Sequence, residues 1–377
     1  MPLDHPAARR PDAARPPAFL NAVGTATPPH EVHGTFRAFA EGLIADPRER
    51  RLFARMADRS GIARRWSVLR PDGRPGRVDS GGFYGTDADP LAFPSTRARM
   101  ARYEAEGPPL AFAALDALAD ALGGGEAPLA DVTHLVVASC TGFAAPGLDH
   151  AICARLGLDE SVSRTVVGFM GCQAAVVALR LAADAVRADP AARVLVVNLE
   201  LCTLHLQARA EVEQLLCFLL FGDGCSATLV SAEPRGARLD AFRAALMPEA
   251  SEQIAWRVGD DGFDMVLSGA VPASLTRALP PRLPAILGGA DPAEFDLWAV
   301  HPGGRTVLDA VEEACRPPQG AMAYSRAVLE AHGNMSSPTV MFVLRDMLAA
   351  RPEPGRRGVA MAFGPGLSAE TMRFETV

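Results

Sequence analysis

The chain has 377 residues, 49% of them hydrophobic and 21% charged, with a formal net charge of -7. That length allows one large domain or two fused ones, and the acidic balance excludes a basic nucleic-acid-binding protein and speaks for solubility. The longest apolar runs are too short and too interrupted to form an integral membrane segment.

Residues 1–18, "MPLDHPAARRPDAARPPA", are rich in Pro, Ala and Arg and lack an apolar h-region; they read as a flexible tail without a signal peptide. Residues 19–25 read as a first strand. The basic stretch from Arg48 to Arg65 is predicted helical, and 70–100, rich in Gly, Pro, Asp and Arg, reads as a surface excursion. A helix pattern follows over 108–122. "THLVVASC" predicts a buried strand ending at Cys140, "RTVVGF" a short strand feeding the helix after Cys172, and "ARVLVVNLEL" a strand ending near Glu200. Apolar strands alternating with helices argue for an α/β layered fold. The seven cysteines are odd in number and none has CxxC spacing. A disulfide framework and a zinc signature are therefore not expected, and reduced thiols in a cytoplasmic protein are.

The second half repeats this grammar. "DLWAVHPGG" is a strand ending at His301, "AHGNMSSPTVMFVLRDMLAA" a loop and helix, and "GVAMAFGPG" the next strand; Ser336 or Ser337 is a candidate cap for that helix, with Pro338 in its first turn. The spacings agree too. Cys140 to Cys172 is 32 residues and His301 to Asn334 is 33; Cys172 to Glu200 is 28 and Asn334 to Phe363 is 29. This suggests an internal duplication, with halves at 19–232 and 233–377. Equivalent strand ends would meet at a pseudo-twofold axis. Cys172, His301 and Asn334 all sit at such ends, where α/β sites lie.

Cys172, taken alone, reads first as a small buried core residue. Two features point further: Gly171 permits a close approach, and a helix N-terminus draws a thiol pKa down. His301 ends an apolar strand and precedes Pro302, Gly303 and Gly304, a loop that lets a ligand approach the backbone. Asn334 suits a turn, but it also offers an amide donor. Together, Cys, His and Asn suit acyl transfer: a thiolate paired with an imidazolium takes the acyl group, and the two donors face a developing oxyanion. They would equally serve an enolate formed by loss of CO₂, which needs no carboxylate base.

The motifs "GCQAA" at Cys172, "LFGDGCSA" at Phe221, "HPGG" at His301, "GNMSSPT" at Asn334 and "FGPGLSAET" at Phe363 occur in that order. In these the chain resembles the type III polyketide synthases, the chalcone synthase-like branch of the thiolase superfamily. The resemblance implies a homodimer with a five-layer αβαβα fold. It implies acyl-CoA and malonyl-CoA as substrates, with no further cofactor and no metal. It also implies Cys172 as nucleophile, His301 and Asn334 as its activators and enolate holders, and Phe221 as the gate between a CoA tunnel and the cavity. Gly303 and Gly304 would border the substrate.

There are departures from the family pattern. Arg55 and Arg59 match two of three basic positions for CoA phosphates, but Leu52 takes the third, where Arg51 is a candidate substitute. Met265 stands at the second gate aromatic of plant members. Cys202 and His205 replace threonines, and Ala145 replaces a methionine that reaches into the partner's cavity. These smaller or softer residues resemble bacterial members that extend long fatty acyl starters to alkylresorcinols or alkylpyrones. Two other readings stay open: an initiating ketoacyl-carrier-protein synthase, distinguished by loading from carrier protein, and a silent scaffold, distinguished by an unreactive Cys172.

Overall fold

The computed structural model describes residues 16–74, 77–85, 92–124, 129–207 and 209–377. All but the last three residues of the tail read over 1–18 lie outside the described residues, as do 75–76 and 86–91 of the surface excursion.

In chain order the first half contains β1 (Ala18–Ala26), β2 (His30–Glu31), α1 (His33–Leu43), α2 (Pro47–Asp58), β3 (Trp66–Ser67), α3 (Thr96–Leu122), β4 (His134–Ser139), α4 (Leu148–Leu156), β5 (Ser163–Gly168), α5 (Ala174–Ala188), β6 (Val194–Leu201), α6 (Val212–Leu220) and β7 (Asp223–Ser231). The second contains β8 (Ala237–Leu246), β9 (Ile254–Gly259), β10 (Gly262–Leu267), α7 (Val271–Ala278), α8 (Leu283–Leu287), β11 (Leu297–Val300), α9 (Arg305–Cys315), α10 (Ala323–His332), α11 (Thr339–Ala349), β12 (Arg357–Gly364) and β13 (Ser368–Thr376).

The strands form one mixed sheet in the order β11-β12-β13-β8-β1-β7-β6-β4-β5. Its two ends follow one plan. From β1 outward the pairings are antiparallel to β7, antiparallel to β6 and parallel to β4; from β8 outward they are antiparallel to β13, antiparallel to β12 and parallel to β11. Strands β1 and β8 join the halves. The duplication read from spacing is thus written in the pairing sense.

Five layers follow from where the apolar side chains point. Helices α5 and α11 are apolar nearly all round, and both lie inside, with residues of both sheet halves in one common core. A helix without a polar face has no stable place at a surface. Helix α3 covers the outer face of the first half, and α7 and α9 cover that of the second, each over its own core. A Cβ on Gly24 would lie 2.1 Å from the Leu118 nitrogen, so β1 meets α3 backbone to backbone.

The sequence placed the start of α3 near Pro108, but the helix begins at Thr96, where Ser95 caps it, and runs through Pro108 and Pro109. Internal prolines cost a helix about 3 kcal/mol; packing on β1, β6 and β7 offsets this. Helix α2 stops at Asp58 instead of continuing to Arg65, because the chain turns at Gly61 with φ +77°. Among the described residues no helix is long and apolar enough to cross a membrane.

Candidate active site

Cys172 sits in a short 3-10 turn, Gly171–Gln173, between β5 and α5. Gly171 has φ +61°, and a Cβ there would lie 2.5 Å from Cδ of Pro365, so a loop from each half touches at this point. His301 directly follows β11, and its N–H donates to the Met361 carbonyl at 2.7 Å, extending the ladder to β12. Asn334 follows α10. Its N–H donates to the Leu220 carbonyl at 2.8 Å and its carbonyl accepts from Gly222 N–H at 2.9 Å, which ties Asn334 to Phe221 at the end of α6.

These residues converge on one cavity. Cys172, His301 and Asn334 line it together with Gly303, Phe221, Met265 and Cys202, and its remaining walls are largely apolar. About 690 Å³ of empty space lies within it and its open mouth, of which about 60 Å³ admits a water-sized group. The Asn334 side chain is fixed at both ends: Oδ1 accepts from Ser336 N–H at 2.8 Å and Nδ2 donates to the Gly303 carbonyl at 3.4 Å. The Cys172 thiol lies 3.8 Å from Asn334 Oδ1. His301 is buried, and neither ring nitrogen has a hydrogen-bond partner among the described residues.

The sequence reading expects a depressed thiol pKa. Burial acts the other way, pushing the Cys172 thiol up to about 11 against hydrogen bonds with Ser336 and Asn334. Burial likewise takes the His301 imidazole down to about 3. Each group alone is therefore neutral at rest. Moving the thiol proton onto His301 creates both charges within one cavity, where their attraction opposes both penalties.

Not every candidate reaches the cavity. His205 does not line it: its ring is fully buried, bonded to the Thr141 carbonyl at 2.7 Å and to Phe263 N–H at 3.1 Å, and stacked on Phe263. It is a wall support in place of the expected substrate contact. Gly304 lies behind the cavity, with Leu220 beside its Cα. Ala145 is on an exposed loop after β4, outside its own chain's cavity. Arg55 on α2 and Arg59 just after it are exposed near the exposed Leu52, with no side-chain partner among the described residues. Neither Ser336 nor Ser337 caps α11, whose N-cap is Pro338. Ser336 instead faces the two thiols of Cys140 and Cys172, and Ser337 donates to Glu200.

The candidate set lacks Cys140, Glu200, Ser336 and Trp256. Glu200 is fully buried and accepts from Cys140 N–H at 3.0 Å, Thr141 Oγ1 at 2.7 Å and Ser337 Oγ at 2.7 Å, with the Cys140 thiol at 3.3 Å. Trp256 Nε1 donates to the Cys140 carbonyl at 2.7 Å, and the residue lines the cavity. The repeat spacing held a signal for two of these: it equates Cys140 with His301 and Glu200 with Phe363. Trp256 had no comparable mark.

Residues 6–234 match the family model "Chalcone and stilbene synthases, N-terminal domain", and residues 239–377 match its C-terminal counterpart. The chain belongs to the chalcone and stilbene synthase family, the type III polyketide synthases. It is a condensing acyltransferase. It is 33% identical over 377 residues to the "Alpha-pyrone synthesis polyketide synthase-like Pks18" of Mycobacterium tuberculosis, covering 96% of this chain and 91% of that one. It is 35% identical over 264 residues to the 1,3,6,8-tetrahydroxynaphthalene synthase of Streptomyces peucetius, covering 68% of this chain and 70% of the other. The crystal structure of PKS-I from the brown alga Ectocarpus siliculosus superposes with a TM-score of 0.83 at 27% identity, covering 97% of this chain and all of that one.

Proposed function

We propose that this synthase loads a medium or long fatty acyl starter from CoA onto Cys172, extends it with malonyl-CoA and cyclises the product to a resorcinol or pyrone. The observation that carries the starter is a second cavity. It is narrow, with about 440 Å³ of empty space counted out to its open mouth but only about 30 Å³ that admits a water-sized group, and Cys202 and Phe221 belong to the walls of both cavities. A chain leaving the thiol past the small Cys202 side chain meets apolar walls there and enters by widening the gap between them. Each buried CH₂ is worth about 0.8 kcal/mol, so a tail in that space adds affinity quickly. The likeness to Pks18 agrees with a pyrone.

The chemistry follows from the three residues. The Cys172 sulfur attacks the thioester carbonyl, its proton passes to His301, and the CoA thiolate leaves and takes that proton. Malonyl-CoA then loses CO₂, and the enolate oxygen is held by the His301 ring N–H and the Asn334 amide. The enolate carbon attacks the acyl thioester and releases the Cys172 thiolate. Loss of CO₂ supplies the carbanion, so the cycle needs no cofactor and no metal. Arg55 and Arg59, exposed and unpaired, suit CoA phosphates.

A homodimer fits the edge strand β5, where Val166 is 60% exposed, and the loop after β4, where Phe143 is 56% exposed. Ala145 lies two residues from Phe143, which suits a contribution to the partner's cavity. The free thiols suit the reducing cytoplasm.

The test is a panel of acyl-CoA starters with malonyl-CoA, read by mass spectrometry for wild type and Cys202→Phe. Wild type should prefer long starters over acetyl or aromatic ones, and Cys202→Phe should shorten the accepted chain. A preference for small or aromatic starters sinks the starter assignment, while leaving the family intact.

A further inference from the structure

The second cavity is apolar on most sides, with Val32, Phe36, Leu69, Leu206 and Phe218 in its wall, but Arg65 also lines it. This arginine is 2% exposed. Its fork is partly used: Nε donates to His33 Nδ1 at 3.0 Å, Nη1 donates to the carbonyls of Phe218 and Phe221, and the guanidinium lies over the Phe36 ring. Nη2 is buried and has no partner among the described residues. The hydroxyls nearby are already engaged. Ser67 and Thr203 bond each other, Thr203 donates to Asp223, and Tyr84 donates to the Thr203 carbonyl.

A buried charged donor without an acceptor is expensive to keep. Burial pulls the Arg65 pKa down to about 10, and the nearby Glu31 and Asp223 oppose that only in part, yet the guanidinium keeps its charge near neutral pH. What its Nη2 lacks is an oxygen acceptor among the described residues. A neutral oxygen also crosses an apolar passage past Cys202 more cheaply than a carboxylate does.

We infer that Arg65 selects starters carrying a hydroxyl or keto oxygen near the far end of the acyl chain, by donating from Nη2 to that oxygen in the second cavity. This rests on the long-starter reading above and narrows it. The starter would then come from a class of reaction that oxygenates a fatty acyl chain at its distal end.

The experiment compares matched alkyl and ω-hydroxyalkyl CoA thioesters along a ladder of chain lengths, with kcat/KM as readout. In a purely apolar cavity the hydroxyl analogue is poorer at every length, by roughly tenfold or more. The inference expects that order at short lengths, then a reversal of about tenfold in favour of the hydroxyl analogue at the length that reaches Arg65. Arg65→Met should remove the reversal while long alkyl starters are still used. That variant also loses the bonds to Phe218 and Phe221, so the wild-type ladder is decisive by itself. Long alkyl starters accepted with no reversal at any length overturn this inference alone; no use of long starters overturns it together with the starter reading.

Discussion

The two halves of the molecule place residues at equivalent points, and they arm those points differently. At the ends of β4 and β11 stand Cys140 and His301; before α5 and α11 stand Cys172 and Asn334; at or near the ends of β6 and β12 stand Glu200 and Phe363. The Cys140 thiol is engaged by Glu200 and Ser336, and Glu200 by its ring of donors. In the second half the His301 ring nitrogens have no partner among the described residues, and Phe363 is apolar. The fold supplies converging positions, and pairing separates the Cys140–Glu200 cluster from His301, while Asn334 and Cys172 keep hydrogen-bond neighbours and still face the cavity. Glu200 and its donors hold the loops in place, while the groups that line the cavity meet the ligand.

The largest effects should come from breaking the groups that face the cavity. Cys172→Ala should abolish acyl loading and product, yet keep malonyl-CoA decarboxylation, because His301 and Asn334 remain to hold the enolate. His301→Ala should lower decarboxylation as well, by about 10²–10³-fold for one lost oxyanion donor. It should also move the pH profile of iodoacetamide inactivation upward, toward the value of about 11 to which burial, partly offset by hydrogen bonds, pushes the Cys172 thiol. Radiolabelled malonyl-CoA and timed alkylation measure the two. An alkylation profile indifferent to His301 would show that no proton moves between these residues.

Much of this contrast is legible in the sequence, for a definite reason. Apolar strands and the nearly all-apolar helix after Cys172 belong largely to the interior, and the matched spacings fix which strand ends are equivalent. The three chemical residues follow from those ends. The fate of side chains that can serve either as wall or as lining is not legible. His205 and Cys202 stand three residues apart in one short turn, yet Cys202 faces both cavities and His205 is locked behind Phe263. Ser336 and Ser337 read as helix caps because only local rules apply in sequence, whereas Glu200 and Cys140, far away along the chain, claim their hydroxyls. The length of α3 was hidden by its two prolines, whose cost is met by a sheet that sequence does not show.

An intermediate effect is expected on the paired side. Glu200→Gln removes one acceptor oxygen and leaves a buried donor unmatched, at a cost of roughly 1–3 kcal/mol. Its pH dependence has a definite sign. Burial raises the Glu200 pKa above its ordinary value of 4.5. The folded state therefore holds this proton more tightly than the unfolded one. The carboxyl's contribution to stability is complete below that ordinary value and is lost as pH rises through the folded pKa. Glutamine does not titrate. The stability advantage of wild type over the variant should be widest in acid and narrow as pH rises, by urea unfolding at a series of pH values. An advantage that widens with pH would mean that the donors around Glu200 outweigh its burial.

The smallest effect should follow Cys140→Ser, and it tests the comparison most closely, since Cys140 is the positional counterpart of His301. If pairing marks scaffold, this thiol has no chemical duty. Burial, then the neighbouring Glu200, hold its pKa well above the ordinary thiol value, so it does not form a thiolate near neutral pH. A serine hydroxyl can repeat both of its contacts, donating to Glu200 and meeting Ser336. It must close a distance now set by sulfur, 3.3 Å to Glu200 and 3.4 Å to Ser336, to the shorter one an oxygen prefers. The cost is that of one imperfect hydrogen bond, about 1 kcal/mol. Turnover should fall by no more than about threefold, far less than for His301→Ala. Iodoacetamide should still label Cys172 with unchanged stoichiometry. If Cys140→Ser instead loses activity on the scale of His301→Ala while its melting temperature holds, Cys140 takes part in the chemistry, and a hydrogen-bonded position in this fold is not thereby a structural one.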